Sequence, residues 1–197
     1  MILIGLKRCL NKLKKKLLQS CLFLDRDGVI NYDYGHVYKK EDIIFLPNIF
    51  ELVKIANKQN ILVIIITNQA GIAKGLYTES DFIKLNNWMK NQFKMNNCYI
   101  DDVYFCPFHQ EAIIEKYKKD SFYRKPNPGM LIKAAIDYSI DLKKSMIIGD
   151  NESDMLAGKS LKLKYNLLIN NKKSGNYYMN ISSHLESIKY LKYLRDC

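Results

Sequence analysis

The stretch that most limits the fold is Cys21-Leu22-Phe23-Leu24-Asp25-Arg26-Asp27-Gly28-Val29-Ile30-Asn31. Four apolar residues stop abruptly at two aspartates that flank an arginine. The run is too short for a helix and fits a strand buried on both faces, as in a parallel sheet. Asp25 and Asp27 then stand at its carboxyl end, where open parallel sheets bind their ligands. Two carboxylates so close need a positive partner. A divalent cation such as Mg²⁺ supplies one through oxygen ligands, and an ionised carboxylate beside it is a competent nucleophile toward phosphorus. Taken alone, the stretch also reads as a buried strand followed by an Asp-Gly turn.

Two more runs repeat the design. Ile61 to Ile66 is six aliphatic residues, mostly β-branched, and ends in Thr67-Asn68-Gln69-Ala70-Gly71-Ile72. A hydroxyl and two amides there offer neutral donors to a phosphate. Ser145-Met146-Ile147-Ile148-Gly149 ends in Asp150, and Asn151, Glu152, Ser153 and Asp154 extend the polar end. Tyr99–Phe105 and residues 164–169 read as further strands.

Helices alternate with these strands. Pro47 opens one over 48–59. Thr78 with Asp81 three residues on reads as a capping box for a helix over 78–95. Others are expected over about 129–138 and, as a short helix following the polar end at Asp150, through Gly158. A closing helix over 183–194 is expected to turn Leu185, Ile188, Leu191 and Leu194 inward, and 170–180 reads as a polar loop. Strand–helix alternation implies an α/β fold: a Rossmann-like, mainly parallel sheet of at least five strands with helices on both faces.

Between Phe105 and the helix expected over 129–138 lies a long connection that ends in Arg124-Lys125-Pro126-Asn127-Pro128-Gly129. Two adjacent cations before a proline-fixed turn suit a phosphate clamp, Arg binding bidentately and Lys as a point charge. They equally fit a solvated basic turn.

The net charge of +11 sits at the ends. Residues 1–20 carry six basic side chains and no acid, residues 161–197 carry seven basic and two acidic ones, and residues 21–160 are neutral. That distribution argues against a nucleic-acid-binding main site. Residues 1–20 form a basic amphipathic pattern with Leu6, Leu10, Leu13 and Leu17 at helical spacing. They are read as an N-terminal helical extension of a single domain spanning 21–197. The five cysteines are widely spaced, without a C-x-x-C pair, which suits a reducing cytoplasm. No apolar run is long enough to span a membrane.

Taken together, Asp25-Arg26-Asp27-Gly28, Thr67-Asn68-Gln69, Lys125 and Gly149–Asp154 resemble the four motifs of the haloacid dehalogenase superfamily, in order, over roughly residues 21–170. Phe23–Asn31, Thr67–Ala73, Arg124–Met130 and Asp150–Gly158 further resemble the heptose 1,7-bisphosphate 7-phosphatase branch, next to the histidinol-phosphate phosphatases. The resemblance implies a Mg²⁺-dependent, cytoplasmic phosphomonoester hydrolase without a large cap domain. Its substrate would be a small phosphorylated sugar, most simply the 7-phosphate of D-glycero-D-manno-heptose 1,7-bisphosphate, made for bacterial surface glycans such as lipopolysaccharide. Histidinol phosphate is the alternative substrate, and a non-catalytic phosphoacceptor the alternative class.

The same resemblance implies residue roles. Asp25 is the nucleophile, Asp27 the acid–base, and Thr67 and Lys125 stabilise the transferring phosphoryl group. Mg²⁺ is held by Asp25, Asp150 and the main chain of Asp27. Asp33, Tyr34, Gly35, His36, Thr67, Asn68, Gln69, Ala70, Arg124, Lys125 and Asn151 contact substrate. The branch usually carries a structural zinc in the loop before the Arg-Lys pair. Here Cys106 is kept, but Phe108, Ser121 and Tyr123 stand in place of the other ligands, so no structural Zn²⁺ is expected. The loop is instead expected to pack through Phe108, Phe122 and Tyr123. A monomer is expected.

Overall fold

The computed structural model describes residues 18–169 and 177–194. Six strands form one sheet: β1 (Cys21–Leu24), β2 (Leu62–Asn68), β3 (Asp102–Cys106), β4 (Met146–Gly149), β5 (Tyr165–Ile169) and β6 (Met179–Ile181). Their order is β3-β2-β1-β4-β5-β6, and every pairing is parallel. The chain therefore winds outward from β1 in one direction and from β4 in the other. A crevice opens between the carboxyl ends of those two strands, and both end in aspartates.

The helices are α1 (Ile49–Lys58), α2 (Ala70–Ala73), α3 (Glu79–Met95), α4 (Gly129–Tyr138), α5 (Glu152–Ser160) and α6 (His184–Lys192). Alternation along the strands divides the core in two. Leu22, Leu24, Val63, Ile65, Met146 and Ile148 face α1, α3 and α6. Cys21, Phe23, Ile64, Ile66 and Ile147 face α4 and α5. Every residue of β1 is fully buried. Burying each Leu, Ile or Phe contributes roughly 1.5–3 kcal/mol, so the strand ends sit on a rigid platform. Among the described residues no large cap interrupts the fold; residues 25–48 and 107–128 cross the carboxyl edge as loops with short 3-10 turns.

The capping box of α3 is formed as expected, with the Thr78 hydroxyl accepting from the Asp81 amide and the Asp81 carboxylate accepting from the Thr78 amide. Four expectations need correction. Residues 179–181 are not loop: they form β6, too short to show a strand pattern. The expected α6 face holds at Ile188, Leu191 and Leu194 and fails only at Leu185. His184, Ser187 and Leu191 are buried, and Leu194 follows just beyond the helix, whereas Leu185 is 52% exposed. The His184 ring is paired to the Val29 carbonyl at 2.8 Å, so an imidazole takes the place expected of a leucine. Residues 18–20 are not helical; Gln19 bridges Ile140 in parallel, and the rest of the proposed N-terminal helix lies outside the described residues. Finally, Phe122 and Tyr123 are exposed. Their loop is held instead by Phe108 against buried Tyr117, by Lys119 over the Phe108 ring and by the His109 amide on the Tyr117 carbonyl.

Candidate active site

The carboxyl edge holds an open cleft of about 490 Å³. It is lined by Asp25, Asp27, Asp33, Gly35, His36, Thr67, Asn68, Gln69, Ala70, Tyr77, Arg124, Lys125, Asp150, Asn151 and Ser153. Four separate stretches thus converge because β1, β2, β3 and β4 all end at one edge. Of the residues expected to contact substrate, only Tyr34 is not among the lining; it is 65% exposed and stacks on Tyr32.

Lys125 is the electrostatic centre. Its ammonium is buried and donates to Asp25 Oδ1 at 2.9 Å, Asp154 Oδ1 at 2.5 Å and the Ile66 carbonyl at 2.9 Å. Burial would lower its pKa, but the Asp154 and Asp25 carboxylates outweigh burial and raise it, so the lysine stays charged. Asn68, at the end of β2, fixes its backbone. The Lys125 amide donates to Asn68 Oδ1 and the Asn68 Nδ2 donates to the Lys125 carbonyl, each at 3.0 Å. Asn68 lines the cleft, yet both polar atoms of its amide hold Lys125 in place. The Lys125–Pro126 bond that follows is cis.

Asp25, Asp150 and Asp154 bring carboxylate oxygens within 4.8 Å of one another. Burial pushes the Asp25 carboxyl well up against the pull of Lys125, and the Asp154 and Asp150 charges add to the rise. Burial, reinforced by Asp154, pushes Asp150 up to about 6. Three carboxylates against one ammonium leave two negative charges uncompensated in a desolvated site, and a hard divalent cation fits that oxygen-only donor set. Asp154 is the member sequence reasoning missed. It looked like the polar continuation of a strand end. It is fully buried, and its carboxylate also accepts from the Asn151 amide at the start of α5. Gly28 permits the approach: its φ is +77°, and a Cβ there would meet Asp150 Oδ2 at 2.3 Å.

Asp27 does not join that carboxylate group. Its side chain turns aside and accepts from Arg26 at both oxygens (Nε 3.0 Å, Nη2 2.8 Å), from Asn31 Nδ2 at 3.0 Å and from Gln69 Nε2 at 3.1 Å. Arg26 is wholly buried, donates also to the Val37 carbonyl and lies over the Phe82 ring. It was read only as a spacer between aspartates. Arg124 lines the cleft and donates to the Phe108 carbonyl at 3.3 Å. His36 lies 3.4 Å from the Lys74 ammonium. Asp33 accepts from the Gly35 amide and shapes the loop over the cleft.

A family model for HAD-hydrolase-like proteins matches residues 122–176. Two curated relatives carry the comparison further. A D-glycero-alpha-D-manno-heptose-1,7-bisphosphate 7-phosphatase of Burkholderia mallei is 50% identical over 148 residues, covering 75% of this chain and 78% of the relative. A protein of the same name in Campylobacter jejuni is 43% identical, covering 88% and 96%. The chain belongs to the heptose-bisphosphate 7-phosphatase family of HAD-like hydrolases. It is a phosphatase. Among solved structures, the D,D-heptose 1,7-bisphosphate phosphatase of B. bronchiseptica, complexed with magnesium and phosphate, shares the fold at a TM-score of 0.77 and 22% identity, covering 88% of this chain and 98% of that one. HAD-like phosphatases use Mg²⁺, in keeping with the acidic group at the end of β1 and β4. Among the described residues no helix is long and apolar enough to cross a membrane.

Proposed function

We propose that this phosphatase removes the 7-phosphate of D-glycero-D-manno-heptose 1,7-bisphosphate, in the cytoplasm and as a monomer, during surface-glycan precursor synthesis. The observation that carries the reading is the convergence of Asp25, Asp27, Lys125 and Asp150 in one cleft, in a chain half identical to a phosphatase of that name. The domain runs from residue 21, with residues 1–20 as an extension.

Asp25 attacks phosphorus through a carboxylate oxygen while the bond to the sugar oxygen breaks, and Asp27 gives that oxygen its proton. A water then attacks the aspartyl-phosphate, Asp27 takes a proton back, and the phosphorus–Asp25 bond breaks to release phosphate. Lys125 and Thr67 oppose the charge on the equatorial oxygens, where most of the barrier is lowered. Asp25, Asp150 and the Asp27 main chain would hold Mg²⁺, which would supply charge neutralisation. Asp154 borders that group and holds Lys125 within reach. Asp33, Gly35, His36, Asn68 to Ala70, Arg124 and Asn151 shape the sugar-facing wall.

We also propose that the loop carries no structural zinc. Cys106 is buried, burial raises its thiol pKa, and Phe108, Ser121 and Tyr123 offer no second soft ligand. Elemental analysis giving one zinc per chain would contradict this.

The functional test is Mg²⁺-dependent phosphate release from both anomers of the bisphosphate and from histidinol phosphate, with ³¹P NMR of the product. The expected product is the heptose 1-phosphate. Preference for histidinol phosphate, or loss of the anomeric phosphate, would overturn the assignment.

A further inference from the structure

We infer that Tyr77 is a positioning residue of this site, acting through Gln69 on both Asp27 and Thr67; the inference rests on the phosphatase reading above. Tyr77 belongs to none of the four motifs and lies ten residues beyond Thr67 in sequence. Its ring is nevertheless buried beside the cleft, and its hydroxyl lies 2.6 Å from Gln69 Oε1. Gln69 Nε2 in turn lies 3.1 Å from Asp27 Oδ2 and 2.8 Å from Thr67 Oγ1.

The directions of these bonds are forced. Both Asp27 oxygens already accept from Arg26, and Oδ1 also accepts from Asn31, so the Gln69 amino group faces Asp27 as a further donor. That leaves Oε1 toward Tyr77, whose hydroxyl must donate. A primary amide has two hydrogens, and here one goes to the acid–base and the other to the phosphoryl-binding threonine. A single buried amide thus fixes two reacting groups relative to each other, and the tyrosine hydroxyl fixes the amide. Without it, the Gln69 side chain could rotate its amide and present Oε1 to Asp27, where two acceptors would repel.

The surroundings are built to hold this ring. Tyr38 stacks on Tyr77 with centroids 5.0 Å apart and planes 13° from parallel. Gly71, in α2, leaves the room: a Cβ there would meet the Tyr77 ring at 2.3 Å. Asp27 keeps Arg26 and Asn31 as further donors, so loss of the Tyr77 hydroxyl misdirects the carboxylate without freeing it.

Tyr77→Phe keeps the stack and the contact with Gly71 and removes only the hydroxyl. Its kcat for the bisphosphate is expected to fall roughly tenfold, a part of the about 10²- to 10⁴-fold a placed acid–base contributes. KM is expected to stay within about twofold, because the hydroxyl is spent on Gln69. In a Gln69→Leu background the same substitution is expected to change kcat by less than about twofold, since the two act as one unit. A Tyr77→Phe enzyme with wild-type kcat, a loss confined to KM, or full additivity with Gln69→Leu would each overturn the inference. A wild-type protein that hydrolyses no phosphomonoester would overturn the phosphatase reading instead.

Discussion

Lys125→Met is the substitution whose consequences can be worked out furthest. The ammonium touches two carboxylates, Asp25 at 2.9 Å and Asp154 at 2.5 Å, with lysine and Asp154 side chains 3% and 0% exposed. Methionine fills similar volume, so little of the effect comes from a cavity. What remains is a set of buried carboxylates with no internal cation. Breaking a buried pair by removing one partner costs about 3–5 kcal/mol. For a domain of this size each kcal/mol lowers Tm by roughly 2–4 °C, so a drop on the order of 10 °C is expected at pH 7 without Mg²⁺. The sign of the pH dependence follows. Removing the lysine takes away the pull that opposes burial at Asp25, so the folded pKa of Asp25 rises further above its unfolded value. The variant therefore gains stability as pH falls toward about 5, and its deficit against wild type narrows. Asp154→Asn in the same chain removes the orphaned charge and is expected to recover more than half of the lost Tm. Thermal melts followed by circular dichroism at pH 7.5 and 5.5, with EDTA present, read all of this. A variant as stable as wild type, or one that Asp154→Asn destabilises further, would refute the electrostatic reading.

Mg²⁺ affinity is expected to weaken as pH falls through about 6, where Asp150 takes up a proton that competes with metal. From that group alone calorimetry should show about fourfold weaker binding at pH 5.5 than at pH 7.5, and a flat profile would contradict it. Gly28→Ala puts a side chain at positive φ and against Asp150. It is expected to cost about 1–3 kcal/mol and to weaken Mg²⁺ binding; an unchanged affinity would show that Asp150 is not held by that contact.

The sheet was legible because β1, β2 and β4 are aliphatic runs with polar residues set at their ends. Asp25, Thr67 and Asp150 could be placed at one edge from that alone. Period and capping residues located α3 to within a residue. What stayed hidden is tertiary. Asp154 looks solvent-facing in sequence because a carboxylate in the first turn of a helix usually is; here the turn points into the cleft. Arg26 and Tyr77 act through contacts that no local pattern encodes. On α6 only Leu185 departs from the expected face; His184 is buried in its stead and paired to the Val29 carbonyl, which hydrophobic spacing does not show. Asn68 and Gln69 were read as facing substrate, and the structure commits their amides to Lys125, Asp27 and Thr67.

Asp25 is expected to become phosphorylated during turnover. Borohydride quenching during steady-state hydrolysis reduces an acyl phosphate to the alcohol, and peptide mass spectrometry locates it. Homoserine is expected at position 25 only when substrate and Mg²⁺ are both present, and none in Asp25→Asn, whose turnover should fall by about 10⁴-fold or more. Phosphate released at the normal rate with position 25 unmodified, or reduction found at Asp27 or Asp150 instead, would contradict it.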